Sequence, residues 1–464
     1  MIKTYGEKGF YRHVMQIAIP IIIQNGIAQF VNMLDNIMVG RIGTDAMSGV
    51  AIVNELLFVW MLSVFGGFSG IGIFTAQFYG KQDHKGIRYT FRLTLMLSVI
   101  LLAVGYVVFR ISGSSLITLF LHDDGGIGNV QATLHFARQY LNVMFVGLIP
   151  FAVTQSYGTT LKAMGETVVP MAASLAAVVL NLFGNYVLIY GKLGAPALGV
   201  VGAAVATVIS RFAEMMIIML YTQRHADRYP FIKDAFNSLY VPRDLVVNCI
   251  KKGMPLLLNE TLWAAGMAML TQSYSLRGLS VVAAFNISQT ISNVFNVVFI
   301  NMGSAIGIII GQELGMGKTD TVRRNADHLI RFAMVISCLT IIGQLAISRA
   351  FPHIYNTSYD IRETATWLIR IVAICVPLYA YENAAYFIIR SGGKTMITFL
   401  FDSCFLWIAP LPLAFVLSRY TDMPIVWLFL FVQLTDIIKC VIGFIMIKKG
   451  VWVQDLTEYR EEAG

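Results

Sequence analysis

The segment SGIGIFTAQFYG at residues 69–80 returns as SAIGIIIGQELG at residues 304–315, an offset of 235. That offset pairs Ser69, Ile71, Gly72, Ile73, Gln77 and Gly80 with Ser304, Ile306, Gly307, Ile308, Gln312 and Gly315. Without a gap it also pairs Pro20 with Pro255, Gly43 with Gly278, Ile52 with Ile287 and Arg88 with Arg323. A second echo, LKAMGET (161–167) against IRSGGKT (389–395), has an offset of 228. Gly- and Ile-rich helices can match by chance, but chance does not give the motif and a distant proline one common offset. The chain reads as two related halves in parallel orientation.

Composition says what the halves are built from. Of 464 residues, 57% are hydrophobic and 13% charged, with a mean hydropathy of +0.68, whereas soluble chains carry about 25% charged residues. Apolar stretches long enough to cross a bilayer fall near 14–38, 48–79, 89–111, 134–158, 166–190 and 197–221. Six more follow near 245–274, 280–314, 327–348, 364–389, 396–418 and 424–447. The expected fold is an all-α polytopic membrane protein, with twelve transmembrane helices in two six-helix lobes related by internal pseudo-two-fold symmetry. The lobes are expected at 1–222 and 245–464, joined by a cytoplasmic loop at 223–244.

An even number of spans puts both termini on one side. The intervals on the N-terminal side hold 24 Lys and Arg and the opposite intervals 9; Arg211, inside the sixth span, completes the 34. Positive charge stays inside, so both termini and the 223–244 loop are expected in the cytoplasm. The same dispersal of a +8 net charge argues against a nucleic-acid face. The five cysteines lie far apart with no CxxC spacing, which supports neither a zinc site nor a disulfide framework. The polar start MIKTYGEKGFYRHVMQ does not read as a signal peptide, so the first helix is expected to stay.

Ionisable residues inside apolar spans are costly and mark functional candidates. Asp35 ends a stripe of Asn25, Gln29 and Asn32 on the first helix, at spacings of three or four that share one face. It reads as a cavity carboxylate or as an Asp that caps the helix end. Glu260, in MPLLLNETLW (254–263), lies five residues past Pro255, too deep to snorkel to water. It reads as a titratable or cation-binding carboxylate, or as a packing hydrogen bond, and Trp263 one turn on could add an aromatic face for an organic cation. Asn286, Gln289, Asn293 and Asn296 form a second amide stripe, which lines water or joins helices. Glu382 and Asp402 are weaker cavity candidates. Asp436 with Lys439, and Arg211 with Glu214, are spaced for i, i+3 ion pairs. There is no GxxxxGK[ST] phosphate loop, HExxH, GxSxG or paired-His spacing. An enzyme is not expected, and no cofactor or ATPase subunit. Transport energy is expected from an ion gradient.

Several motifs carry a family likeness. They are Pro20, Asp35, Val39, Gly40 and Gly43 as P-x14-D-x3-VG-x2-G, then GIFTAQFYGKQD (72–83), LKAMGET (161–167), LNLFGNYVLIYG (180–191), GVVGAAVATVISR (199–211) and IIRSGGKT (388–395). In order and spacing the chain resembles the multidrug and toxic compound extrusion (MATE) family from about residue 10 to 450. The resemblance implies a two-lobed antiporter that exports organic, often cationic, compounds in exchange for Na+ or H+. It also implies an N-lobe cation site at Asp35, Asn181 and Thr207, where Asn185 stands in place of the family's second acid. Losing that carboxylate weakens a Na+ site, because hard cations favour charged oxygens. H+ is therefore the preferred coupling ion and Na+ the alternative. Glu260 is similar to a seventh-helix Glu that some members use, two residues nearer the proline than in them; Glu382 lies about a turn from their tenth-helix acid. The expected protein is a monomeric, multi-pass exporter in a bacterial plasma membrane, with a small organic substrate and the lipid bilayer as partners. A lipid-linked glycan flippase of the wider superfamily is the alternative.

Overall fold

Backbone amides in hydrocarbon have no water to bond, so each apolar stretch must satisfy them internally as helix. The computed structural model, which describes residues 7–119, 130–317, 319–355 and 357–458, is helical at every expected span. The first half contributes α1 (Glu7–Gly40), α2 (Thr44–Lys81), α3 (His84–Leu119), α4 (Val130–Ala163), α5 (Val168–Tyr190) and α6 (Gly199–Arg224). The second contributes α7 (Arg243–Ser275), α8 (Leu279–Gly315), α9 (Thr319–Ser348) and α10 (Tyr359–Ser391), then α11 (Thr395–Tyr420) and α12 (Ile425–Lys449). Eleven of the twelve are long and apolar enough to cross a membrane among the described residues. The exception is α7, whose apolar run is diluted by Asn248, Lys251, Lys252, Asn259 and Glu260.

The lipid-facing side shows in the exposure pattern. On α3, Val99, Ile100, Val104, Val107, Val108 and Ile111 are all exposed at helical spacing, a stripe that hydrocarbon solvates and water does not. Prolines interrupt the first and fourth helix of each half: Pro20, Pro150, Pro255 and Pro377. Each removes a backbone hydrogen bond and loosens its helix. The repeat is also visible in the turns, because Gly165 after α4 and Gly393 after α10 both take positive φ, +82° and +71°.

Packing divides the chain into two units. One comprises residues up to Ile22, Ala76–Gln82 and Asn248–Glu458; the other comprises Ile23–Thr75 and Asp83–Val247. The boundary in α1 falls just past Pro20. In the first unit the repeated motif meets its own copy. A Cβ on Gly80 would lie 1.9 Å from the Gln312 carbonyl oxygen, and one on Gly315 would lie 1.9 Å from the Gln77 carbonyl oxygen. Gln77 and Gly80 correspond to Gln312 and Gly315 at the 235 offset, so the contact is reciprocal, as two-fold related elements require. Gln77 then donates to the Ser391 carbonyl (3.0 Å) and the Gln454 carbonyl (3.2 Å) and accepts from the Leu456 N–H (2.7 Å).

In the second unit, residues 223–244 are pinned to α3 and the α4–α5 turn. Arg92 donates to the Ala235 carbonyl (2.8 Å) and the Tyr240 carbonyl (3.1 Å), and Phe91 stacks edge-on against Phe231 and Tyr157. Arg228 and Tyr229 both donate to Glu166. Burial and that carboxylate push the Tyr229 phenol above its ordinary range.

Candidate functional site

In the second unit α5 carries Asn181 and Asn185 one turn apart, so both amides leave the same face toward α1 and α6. Asn185 Nδ2 donates to Asp35 Oδ1 at 2.6 Å, and the Asn181 amide lies 3.2 Å from both Asn185 Nδ2 and Thr207 Oγ1. Thr207 in turn donates to the Ala203 carbonyl at 3.0 Å. The four residues implied by the resemblance thus lie in one hydrogen-bonded chain across α1, α5 and α6. Close approach of α5 and α6 makes it possible: Gly202 lies against the Leu188 carbonyl and Gly184 against Ala206.

Asp35 is half-buried and makes no ion pair among the described residues. In the orientation that satisfies both ends of the amide, the Asn181 nitrogen donates to both Asp35 oxygens, at 3.0 and 3.3 Å, and its oxygen accepts from Thr207 Oγ1 at 3.2 Å. That orientation suits an ionised Asp35, since a carboxylate only accepts hydrogen bonds. Asn185 Oδ1 is buried without a partner, an acceptor left open beside the carboxylate.

The other residues of the first-helix stripe are spread. Asn25 is half-buried and Gln29 exposed, while Gln24 donates to the Pro170 carbonyl at 3.5 Å. The side chains of Asn32 and Asn36 lie outside the described residues. Asn286 and Asn293 are exposed on α8 and Gln289 is half-buried.

The first unit holds a denser centre that helical spacing does not reveal. Lys439 of α12 reaches Asp402 Oδ1 of α11 at 2.9 Å and Glu382 Oε2 of α10 at 3.2 Å. This corrects the expectation that Lys439 pairs with Asp436 on its own helix: the ammonium has two carboxylates across the bundle instead. It also moves Lys439 out of the cytoplasmic count, because ten residues separate it from the end of its span at Lys449, about 15 Å at helical rise. The asymmetry becomes 23 against 9 and keeps its sign. Arg211 is likewise without an ion pair to Glu214 among the described residues. Its guanidinium donates to the Gly147 carbonyl and lies over the Phe151 ring.

Asp402 is presented by a break in α11. Residues Leu400–Cys404 form one turn of π-helix, and Pro410 interrupts the helix again six residues past Cys404. A π turn shifts the register and is frequent at functional sites. Asn259 of α7 fastens that turn: its Nδ2 donates to Asp402 Oδ2 at 3.0 Å, and its Oδ1 accepts from Ser403 Oγ at 2.7 Å. Tyr386 and Arg390 complete the group through Asn259 Nδ2 (3.3 Å) and Arg390 Nη1 (3.5 Å) on the phenol oxygen. Glu260, next to Asn259, is half-buried and makes no hydrogen bond or ion pair among the described residues, and Trp263 is exposed. Asn259, Tyr386 and Arg390 are the members that sequence reasoning missed, and Lys439 the one it gave a different partner. A Lys ten residues inside a span, with two unpartnered intramembrane acids elsewhere, was the available signal.

The sequence profile of the MatE family matches residues 20–187 and 255–416. Its two segments begin 235 residues apart, the offset of the repeat. The chain is 23% identical over 420 residues to "Probable multidrug resistance protein YoeA" of Bacillus subtilis, covering 90% of this chain and 89% of that one. It is 23% identical over 458 residues to "Probable multidrug resistance protein NorM" of Thermotoga maritima, covering 97% and 95%. A crystal structure of MATE in the bent conformation superposes with a TM-score of 0.85 at 18% identity, covering 95% of each chain. The two-fold repeat, the twelve helices and the matched profile lead to one conclusion: this chain belongs to the MATE family of multidrug efflux transporters.

Proposed function

We propose that the protein is a secondary antiporter that exports organic, cationic or amphipathic compounds in exchange for H+, by alternating access, with Asp35 as the proton carrier. The observation that carries this is the chemistry around Asp35. Its partners are neutral amides, and it makes no ion pair among the described residues. Desolvated in this way, one carboxylate suffices for proton exchange. A Na+ ion would need several oxygens facing it, and the position nearest Asp35 Oδ1 is taken by the Asn185 N–H. Substrate recognition is assigned to the half-buried Glu260 with Trp263 and to the polar residues Asn25, Gln29, Asn286, Gln289 and Asn293. The relatives named above are multidrug resistance proteins of bacteria, which supports a bacterial plasma membrane. The charge asymmetry supports cytoplasmic termini. The flippase alternative is less well supported, because the intramembrane Lys439 is neutralised by two carboxylates rather than left open to a pyrophosphate.

The test is efflux of a fluorescent organic cation from proteoliposomes under separately imposed gradients. A pH gradient alone is expected to drive export, and a Na+ gradient at equal pH is not. Export that requires Na+ overturns the assignment of H+.

A further inference from the structure

Two carboxylates on different helices converge on one point in the first unit, and that point is filled by the chain itself. Lys439 Nζ lies 2.9 Å from Asp402 and 3.2 Å from Glu382, with side-chain exposures of 13%, 18% and 9%. The ammonium also lies over the Phe401 ring, 5.4 Å from its centroid. The outer oxygens are engaged as well: Asp402 Oδ2 accepts from Asn259, and Glu382 Oε1 faces the Cys440 thiol at 3.9 Å. Asp436, one turn before Lys439, also acts electrostatically on the ammonium, and Glu260 and Arg390 lie nearby. An isolated carboxylate pair is strongly unfavourable in low dielectric, and a cation between the two relieves it.

We propose that Lys439 is a tethered cation occupying a two-carboxylate cation site of Glu382 and Asp402. Its covalent attachment keeps free alkali ions out of this two-carboxylate cage. The geometry of the triad carries this assignment whatever ion is coupled elsewhere. A cation supplied by a side chain stays beside its carboxylates whatever the salt in solution, at an effective concentration fixed by its short tether. With the side chain cut back to Cβ, the two carboxylates and the volume of a propylammonium remain. That space suits Na+ or a primary alkylammonium.

Thermal stability of purified full-length Lys439→Ala tests this in the Asp35→Asn background, which removes the carboxylate of the other unit's cation site; Glu260 is present in both the parent and the variant and so cancels from the comparison. Melting is followed in N-methylglucamine, Na+ and propylammonium. The single Asp35→Asn protein is expected to melt at the same temperature in all three. Lys439→Ala is expected to melt lower in N-methylglucamine and to recover by about 2 °C or more in Na+ or propylammonium. Adding Asp402→Asn is expected to abolish the recovery. A folded Lys439→Ala protein with no response to either cation overturns the proposal, as does an equal response in the parent. If Lys439→Ala yields no folded protein, Lys439→Gln is measured in the same way. Failure of both to fold in every cation also overturns it, because an open cage is rescued by its cation. Transport is not measured, so failure here leaves the antiport reading to its own experiment.

Discussion

Asn185 holds the N–H against Asp35 Oδ1 at 2.6 Å, a place where a second acid would double the charge of the cluster. Asp35→Asn is expected to abolish gradient-driven efflux with the size-exclusion profile unchanged, since the amide keeps the shape and loses the exchangeable proton. Wild-type efflux in that variant removes Asp35 from the mechanism. Asn185→Asp sets two carboxylates side by side, and like charges at that range recruit a cation or a proton. Na+-dependent efflux is expected to appear in Asn185→Asp and to be absent in the parent; the comparison is made at fixed pH. Asp35 was legible because an acid in an apolar span stands out. Asn185 was legible only through a motif, and the open acceptor at its Oδ1 through neither, since an amide's partners depend on the rotation of neighbouring helices.

Helix ends follow the same division. Proline and glycine punctuation marks where α1, α4, α7 and α10 loosen, and it is read directly from the chain. The interruption of α11 at Leu400–Cys404 carries no such mark, because the π turn is held by Asn259 from another helix. The small-residue motifs give a sharper expectation. Gly80 meets the Gln312 backbone at a distance no Cβ tolerates, whereas a Cβ on Gly158, inside α4, would meet nothing within 4 Å. Gly80→Ala is expected to destabilise by roughly 1–3 kcal/mol through forced separation of α2 and α8. Gly158→Ala is expected to be neutral or to stabilise by up to about 1 kcal/mol through lost unfolded-state entropy. Melting of the purified proteins checks both, and equal losses would show that the α2–α8 contact is not tight.

For the entire chain, orientation is the property that charge counting predicts. Ser238→Cys lies in the 223–244 segment, where Arg92 and Glu166 anchor the backbone and the loop. Lys192→Cys lies in the exposed α5–α6 turn. In a background without the five native cysteines, a membrane-impermeant maleimide is expected to label position 192 in intact cells and to reach position 238 only after lysis. The reverse pattern would invert the protein and its direction of export. Lys439 shows the weakness of the count, because a cation paired inside the bilayer says nothing about sidedness.

From composition, periodicity and repeat alone come the membrane class, the twelve helices, their pairing into halves and the acids worth testing. These follow because lipid leaves the backbone no choice but local hydrogen bonding, and local structure is written in local sequence. The reciprocal seating of Gly80 and Gly315, the amide chain on Asp35 and the carboxylate cage around Lys439 were settled only by packing. Each joins helices through residues from 26 to more than 200 positions apart, and their meeting depends on how far each helix is rotated and shifted against its neighbours. No spacing within one helix encodes that.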